Sequence, residues 1–427
     1  MNKTNSITRL RPAHPTRCLA GLALAFAVAP AYAQWPQWGG PHRNFSADAK
    51  GLAPQWPEGG PKKLWSRPLG EGYSSITVDD GKLFTMYRKG DDEYVVCLDA
   101  ARGDTRWEHK YNTPIPEGMD KQFGLGPNAT PSIAGGKVYT VGVSGMLHCL
   151  DEATGKVVWS HDLPKEYSAA TPHFGFASSP LAYKDRLIVA AGGKDSSILA
   201  FNLADGALIW KKYDFGGEEK GDLYSSPIHI SLDGEDQIVL LAGREVFAFD
   251  PQSGEQKWSH PHINQWNTNI CTPIWGDDHV LYVSSGGEAG SRGLKLRRDG
   301  GTTKVEEVWT TRKMAVGQGN AVRAGKYVYA SSGDGPAFVT ALNAADGKIA
   351  WRERGFGKAT MVYGDGKLII LDEDGILALA TPTPEALTVH TKLQLLKKPA
   401  WTAPTLVGKT LYVRDKEIIM ALDLGQG

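Results

Sequence analysis

The chain has 427 residues, and its 47 Lys and Arg balance 47 Asp and Glu, for a formal net charge of zero. That balance argues against a nucleic-acid partner or a polybasic membrane surface. The length is large for one domain unless the fold grows by repetition, which needs no deeper core.

Taken from the start, Lys3, Arg9, Arg11 and Arg17 precede an apolar run from Cys18 to Ala29 that is too short to span a bilayer. Small residues follow at Ala31-Tyr32-Ala33. The pattern predicts a secretory signal peptide over residues 1–33, cut before Gln34. Cys18 opens the apolar run rather than following it, so a lipid anchor is not expected. Residues 34–61 are rich in Trp, Pro and Gly without a period, and read as an arm lying across a face of the main domain, residues 62–427. No later segment is apolar enough to cross a membrane as a helix, so the expected product is an exported monomer, periplasmic or extracellular.

Beyond the arm one pattern recurs: a small residue, a large apolar one, Asp or Asn, a turn, Gly and then Trp. It runs from Cys97 to Trp107, Cys149 to Trp159, Ala200 to Trp210, Ala248 to Trp258 and Ala341 to Trp351. Asp or Asn bonds turn amides, Gly supplies a positive φ, and the unit is a hairpin. Each Trp is an apolar plate that one small sheet cannot bury alone, so the units must stack. Trp107, Trp159, Trp210, Trp258 and Trp351 are therefore assigned to blade packing. With Trp309 they fall at steps of 52, 51, 48, 51 and 42 residues, the period of a propeller blade.

Eight inner-strand starts can be read, among them Ser74-Ser75-Ile76, Thr130-Pro131, Ser178-Ser179-Pro180, Ser225-Ser226-Pro227 and Thr402-Ala403-Pro404. Eight outer strands follow if Lys63-Leu64-Trp65 and Thr388-Val389-His390 are counted. The last unit, Thr402 to Leu424, holds three strands, and Trp65 lies on an outer strand with no inner three before it. The expected fold is all-β: an eight-bladed β-propeller of four-stranded antiparallel blades. Its last blade is closed by the N-terminal strand near Trp65, which removes the free edges.

The repeat resembles the tryptophan-docking motif of the quinoprotein alcohol dehydrogenases. It is similar also to the propeller lipoprotein of the bacterial outer-membrane assembly machine. The likeness extends to secreted pyrroloquinoline-quinone-like repeat proteins, whose openings resemble Trp35-Pro36-Gln37-Trp38-Gly39-Gly40-Pro41. It covers nearly all of the chain after residue 33, and implies the fold more specifically than the function. The dehydrogenases would imply pyrroloquinoline quinone with calcium, an adjacent Cys-Cys pair and basic groups for the cofactor's carboxylates. This sequence has no Cys-Cys and no Cys-x-x-Cys-His. Cys97 and Cys149 occupy a repeat slot held elsewhere by Ala and read as core residues.

Other chemistry finds little support. His260-Pro261-His262 has no clear third ligand, and the acidic runs 232–236 and 372–375 sit where hairpin turns belong. Long inserts at 111–126, 163–176, 215–223 and 261–269 should emerge on one face and ring a central funnel. The funnel rim is assigned Tyr73, Asn128, His173, Tyr224, Asn267, Asn269, Gln318, Asn320, Lys358 and Trp401. That set suits hydrogen bonding and stacking with little charge. The expected function is non-catalytic binding of an envelope protein or peptide at the funnel, or of a glycan or neutral small molecule. No cofactor, metal or nucleic acid is expected; a quinone-dependent alcohol dehydrogenase is the alternative.

Overall fold

The computed structural model describes Met1 and residues 34–215, 221–332 and 337–425. The signal-peptide expectation falls on residues outside these, as does part of the 215–223 insert.

Eight four-stranded antiparallel sheets form an eight-bladed β-propeller. Blade 1 takes strands Thr77–Asp79, Lys82–Lys89, Asp92–Asp99 and Thr105–Asn112, from the axis outward. Blades 2 to 7 repeat this order over 132–162, 181–212, 228–261, 274–311, 321–354 and 360–394. Blade 8 takes its inner three strands from 405–423. Its outer strand is Lys62–Pro68, with Trp65 opposite Ala421. The closure expected near Trp65 is thus the one observed.

The repeat motif explains why blades stack. Trp107 Nε1 donates to the Glu152 carbonyl of blade 2 at 3.0 Å, and Trp159 Nε1 to the Leu203 carbonyl of blade 3 at 3.2 Å. Trp65, Trp210, Trp309 and Trp351 reach the carbonyls of Ala100, Pro251, Ala344 and Thr383 in the next blade in the same way. Trp65, Trp107, Trp159, Trp210 and Trp309 also pack on the glycine of the next turn. A Cβ placed on Gly155 would sit 2.5 Å from the Trp107 ring, so this glycine is required by contact as well as by its φ of +70°.

Two seams depart from the pattern, at the degenerate blades. Blade 5 ends its third hairpin at Gly300-Gly301 rather than in the repeat turn. Trp258 accordingly donates to Gln237 Oε1 of its own blade, and Gln237 Nε2 passes the contact to Thr303 of blade 5. Blade 7 has Thr391 where the others carry Trp. There the arm's Trp56 is buried, its backbone N–H donating to Thr391 Oγ1 at 3.0 Å.

The Ser/Thr-rich inner starts form a second belt nearer the axis. Ser75 N–H donates to Thr130 Oγ1, Thr130 N–H to Ser179 Oγ and Ser179 N–H to Ser226 Oγ, at 2.9–3.1 Å. At the closing seam Ser75 Oγ donates to the Ala403 carbonyl. The buried Arg414 guanidinium of blade 8 donates to the carbonyls of Gly70, Ser74 and Met86 on the blade 1 side. Cys97, Cys149 and Cys271 are buried free thiols.

Gly155→Ala should lower stability by roughly 2–4 kcal/mol, because it adds a clash to the strain of a positive φ. Gly81 has a φ of +69° and open space for 4 Å around the point where a Cβ would stand. As Ala it should cost only about 1 kcal/mol. Denaturant midpoints read by fluorescence decide this; equal losses would show that the ring contact contributes nothing.

Two buried histidines set a pH dependence. Burial, helped by the neighbouring His109, lowers His148 from 6.5 to about 4. Burial, then the charge of Arg292, lowers His262 to about 3. Below about pH 6.5 the unfolded chain takes up protons that the folded chain refuses. Stability should therefore fall as the pH drops towards those folded values, by an amount on the order of 3 kcal/mol per group. Thermal melts between pH 7 and pH 4 should show a shallower slope in His148→Gln than in the wild type.

Candidate functional site

Every connection from an outer strand to the next inner strand emerges on one face, and these connections build a two-tiered funnel. The inner tier is a cavity of about 190 Å³ beside the axis. The outer tier is a vestibule of about 790 Å³, walled by the inserts of blades 1 to 5. Phe123, Phe174, Ile270 and Gln318 line both.

The arm closes the other end. Trp35 bridges Val78 of blade 1, Pro36 accepts from Ile133 N–H of blade 2 and Ala47 N–H donates to Tyr363 of blade 7. Between these anchors Trp38 reaches into the ring. Its Nε1 donates to Thr272 Oγ1 at 2.9 Å, and its indole lines the inner cavity.

Aromatic rings form an arc along the inner wall. Tyr73 and Trp401 are 5.3 Å apart between centroids, Trp401 and Phe123 5.7 Å, Phe123 and Phe174 4.9 Å, and Phe174 and Tyr224 6.2 Å. Lys416 Nζ lies 5.2 Å from the Tyr73 ring and Lys358 Nζ 5.9 Å from the Trp401 ring, and neither lysine lines the cavity. Among the described residues no Asp, Glu, Lys, Arg or His lines the inner tier. Carboxylates appear only in the vestibule, at Glu117, Asp120 and Asp222.

Three buried polar atoms on the inner wall have no hydrogen-bond partner: Tyr73 Oη, Gln318 Oε1 and Trp401 Nε1. Burial, with Glu71 nearby, raises the Tyr73 phenol, so it stays neutral and able to donate. A ligand that pairs all three gains hydrogen bonds these groups do not make within the protein.

The ten rim residues divide by what they touch. Tyr73, Asn128, Tyr224, Gln318 and Trp401 line the inner cavity. Of these, Tyr224 Oη already donates to Asp222 and accepts from Phe174 N–H, and Asn128 Nδ2 donates to the Phe174 carbonyl. His173 stands in the vestibule 3.4 Å from Asp120, its side chain 60% exposed. Lys358 sits behind Trp401. Asn267, Asn269 and Asn320 lie outside both walls. Asn267 Oδ1 accepts from Arg244. Asn269 is fully buried and donates to the carbonyls of Ala242 and Gly243. Asn320 exchanges both of its amide bonds with the Met361 backbone, tying blade 6 to blade 7. Strand-start asparagines look alike in sequence whether they face the axis or pin a neighbouring strand.

The rim assignment lacked Trp38, Phe123 and Phe174. The two phenylalanines lie on inserts already expected at the mouth. Trp38 bonds a residue 234 positions away, and no local spacing shows that.

Tyr73→Phe should leave stability within about 0.5 kcal/mol of wild type or raise it, since it removes an unpaired buried hydroxyl. Asn320→Ala should cost roughly 2–4 kcal/mol, because it strands a carbonyl and an N–H at a seam. Parallel melts of the two variants test the division of these residues into wall and scaffold.

The family model described as outer membrane protein assembly factor BamB matches residues 91–293 and 297–427. BamB of Xanthomonas campestris pv. campestris is 23% identical over 366 residues, 73% of this chain and 84% of that protein. Quinoprotein ethanol dehydrogenase of Pseudomonas aeruginosa is 29% identical over 184 residues, 38% of this chain, and the match spans only 28% of the dehydrogenase. Among solved structures, BamB from Moraxella catarrhalis superposes with a TM-score of 0.60 at 17% identity, covering 85% of this chain and 99% of that one. Quinohemoprotein alcohol dehydrogenase from Comamonas testosteroni gives 0.65 at 14% identity, covering 94% and 82%. At such identities the superpositions establish the fold alone. The family model covers most of the ring, and the chain belongs to the family of the outer membrane protein assembly factor BamB.

Proposed function

We propose that this protein is an exported, non-catalytic propeller that holds a partner segment or neutral ligand in its insert-face funnel. The observation that carries the reading is the inner wall: an aromatic arc with three unpaired polar atoms and, among the described residues, no charged side chain. Such a wall recognises shape and a few hydrogen bonds. It offers no acid–base pair for proton transfer. An envelope location is supported by the family's role in outer-membrane assembly and by the signal-like start of the sequence. Among the described residues no helix is long and apolar enough to cross a membrane.

The similarity to dehydrogenases makes quinone chemistry the second reading. A quinone bearing several carboxylates needs cationic partners, yet among the described residues neither tier of the funnel is lined by Arg or Lys. No Cys-Cys pair occurs, and no group of three metal-ligating side chains is found among the described residues. The residues present do not fit that group.

Two measurements separate the readings. After incubation with pyrroloquinoline quinone and calcium, desalted protein should retain no quinone absorbance and reduce no dye with primary alcohols. Retention of both would install the dehydrogenase reading. Tagged protein should recover a defined species from envelope extract, and Trp266→Glu, at an indole 55% exposed on the vestibule wall, should lose it. An unchanged profile would count against the funnel as the binding face.

A further inference from the structure

The polar inventory of the inner cavity narrows what it can hold. Ser179 Oγ and Ser226 Oγ accept from the inner belt, and Thr272 Oγ1 accepts from Trp38. Thr360 Oγ1 lies 3.4 Å from the Leu371 and Thr402 carbonyls, within hydrogen-bonding reach of both. Asn128 and Tyr224 are engaged as described. The hydroxyls of Ser179, Ser226 and Thr272 each keep an O–H to donate, and three buried atoms have no partner in the fold at all, with roles fixed by chemistry. Trp401 Nε1 only donates, Gln318 Oε1 only accepts, and Tyr73 Oη does either.

A ligand that satisfies these three needs one acceptor and one donor on its edge. A sugar ring carries a hydroxyl on most of its carbons, and much of this lining is aromatic and pairs none of them. A charged group would meet no counter-charge on the described inner wall. Much of the remaining lining is aromatic: Tyr73, Trp401, Phe123, Phe174 and Tyr224 around the side, and Trp38 below. An aromatic lining favours a flat, apolar guest in offset or edge-on contact.

We propose that the inner cavity is a receptor for a neutral aromatic ring of the indole or phenol class. The ring's polar edge pairs with Tyr73, Gln318 and Trp401. The inference rests on the reading of the funnel as a binding site and names the chemistry of its occupant. The same ring is supplied either by a free small molecule or by a Trp or Tyr side chain of a partner peptide. The vestibule outside is wide enough for the chain that would carry such a side chain.

Calorimetric titration of the whole protein with four probes tests this: indole, p-cresol, a capped Gly-Ser-Trp-Ser-Gly peptide and methyl β-glucoside. Saturable binding of indole or p-cresol is expected, with none of the glucoside. Tighter binding of the peptide than of indole assigns the source to a polypeptide, and the reverse assigns it to a small molecule. Trp401→Phe keeps a ring but loses the N–H, and should weaken binding roughly tenfold, as for one hydrogen bond lost. Tyr73→Phe serves as the second variant, since its hydroxyl has no partner in the fold, and it should weaken binding in the same direction. If no aromatic probe saturates while Trp266→Glu still abolishes capture of the envelope species, the ring inference fails and the funnel reading stands. If the glucoside alone binds, the ring inference is overturned in favour of a glycan. Loss of both probe binding and funnel-dependent capture would remove the two together.

Discussion

The structure depends on one contact made again and again: an indole lying on the glycine of the next blade, its N–H held by a carbonyl in the same turn. Neither half is useful alone. A single four-stranded sheet cannot cover a tryptophan, and a bare turn leaves its carbonyls to water. Joined around a circle, each blade completes its neighbour, and the ring has no terminal unit to cap. Because the contact is directional, it fixes the angle between blades as well as their association. The axial funnel inherits its geometry from that angle.

Inside the ring of indoles lies a ring of hydroxyls. The serines and threonines that begin the inner strands bond the backbone of the adjacent blade, so the sites facing the axis are rigidly spaced. With most polar groups of the inner strands spent on one another, the wall left to a ligand is largely aromatic. Three of the fold's unpartnered buried atoms converge on that wall. The inserts then supply the vestibule, and the arm closes the far end.

The fold was legible because its signal is periodic. Asp or Asn, Gly and Trp at fixed spacing fall in each hairpin for reasons of turn geometry and burial, and the closure by Trp65 follows from counting strands. The weak copies proved informative too: at blade 5 a glutamine carries the indole's bond onward, and at blade 7, where the plate is missing, the arm's Trp56 is buried with its backbone bonded to Thr391. The site was legible only in outline. Which loops reach the mouth could be read from connectivity, and Tyr73, Gln318 and Trp401 were found that way. Whether an asparagine at a strand start faces the axis or pins a neighbour depends on a rotation of the blade that no spacing encodes. For that reason Asn269 and Asn320 looked like rim residues and are structural ties.

The floor of the funnel comes from a different part of the chain than its walls. Trp38 belongs to a segment outside every blade, and it enters from the end opposite the mouth. Depth and girth are therefore set by separate stretches of sequence. A change of residue at position 38 would make the cup shallower or deeper while leaving each seam between blades untouched. Propellers that share the wall are thereby free to diverge in the depth of this cavity without re-solving the problem of closing a circle.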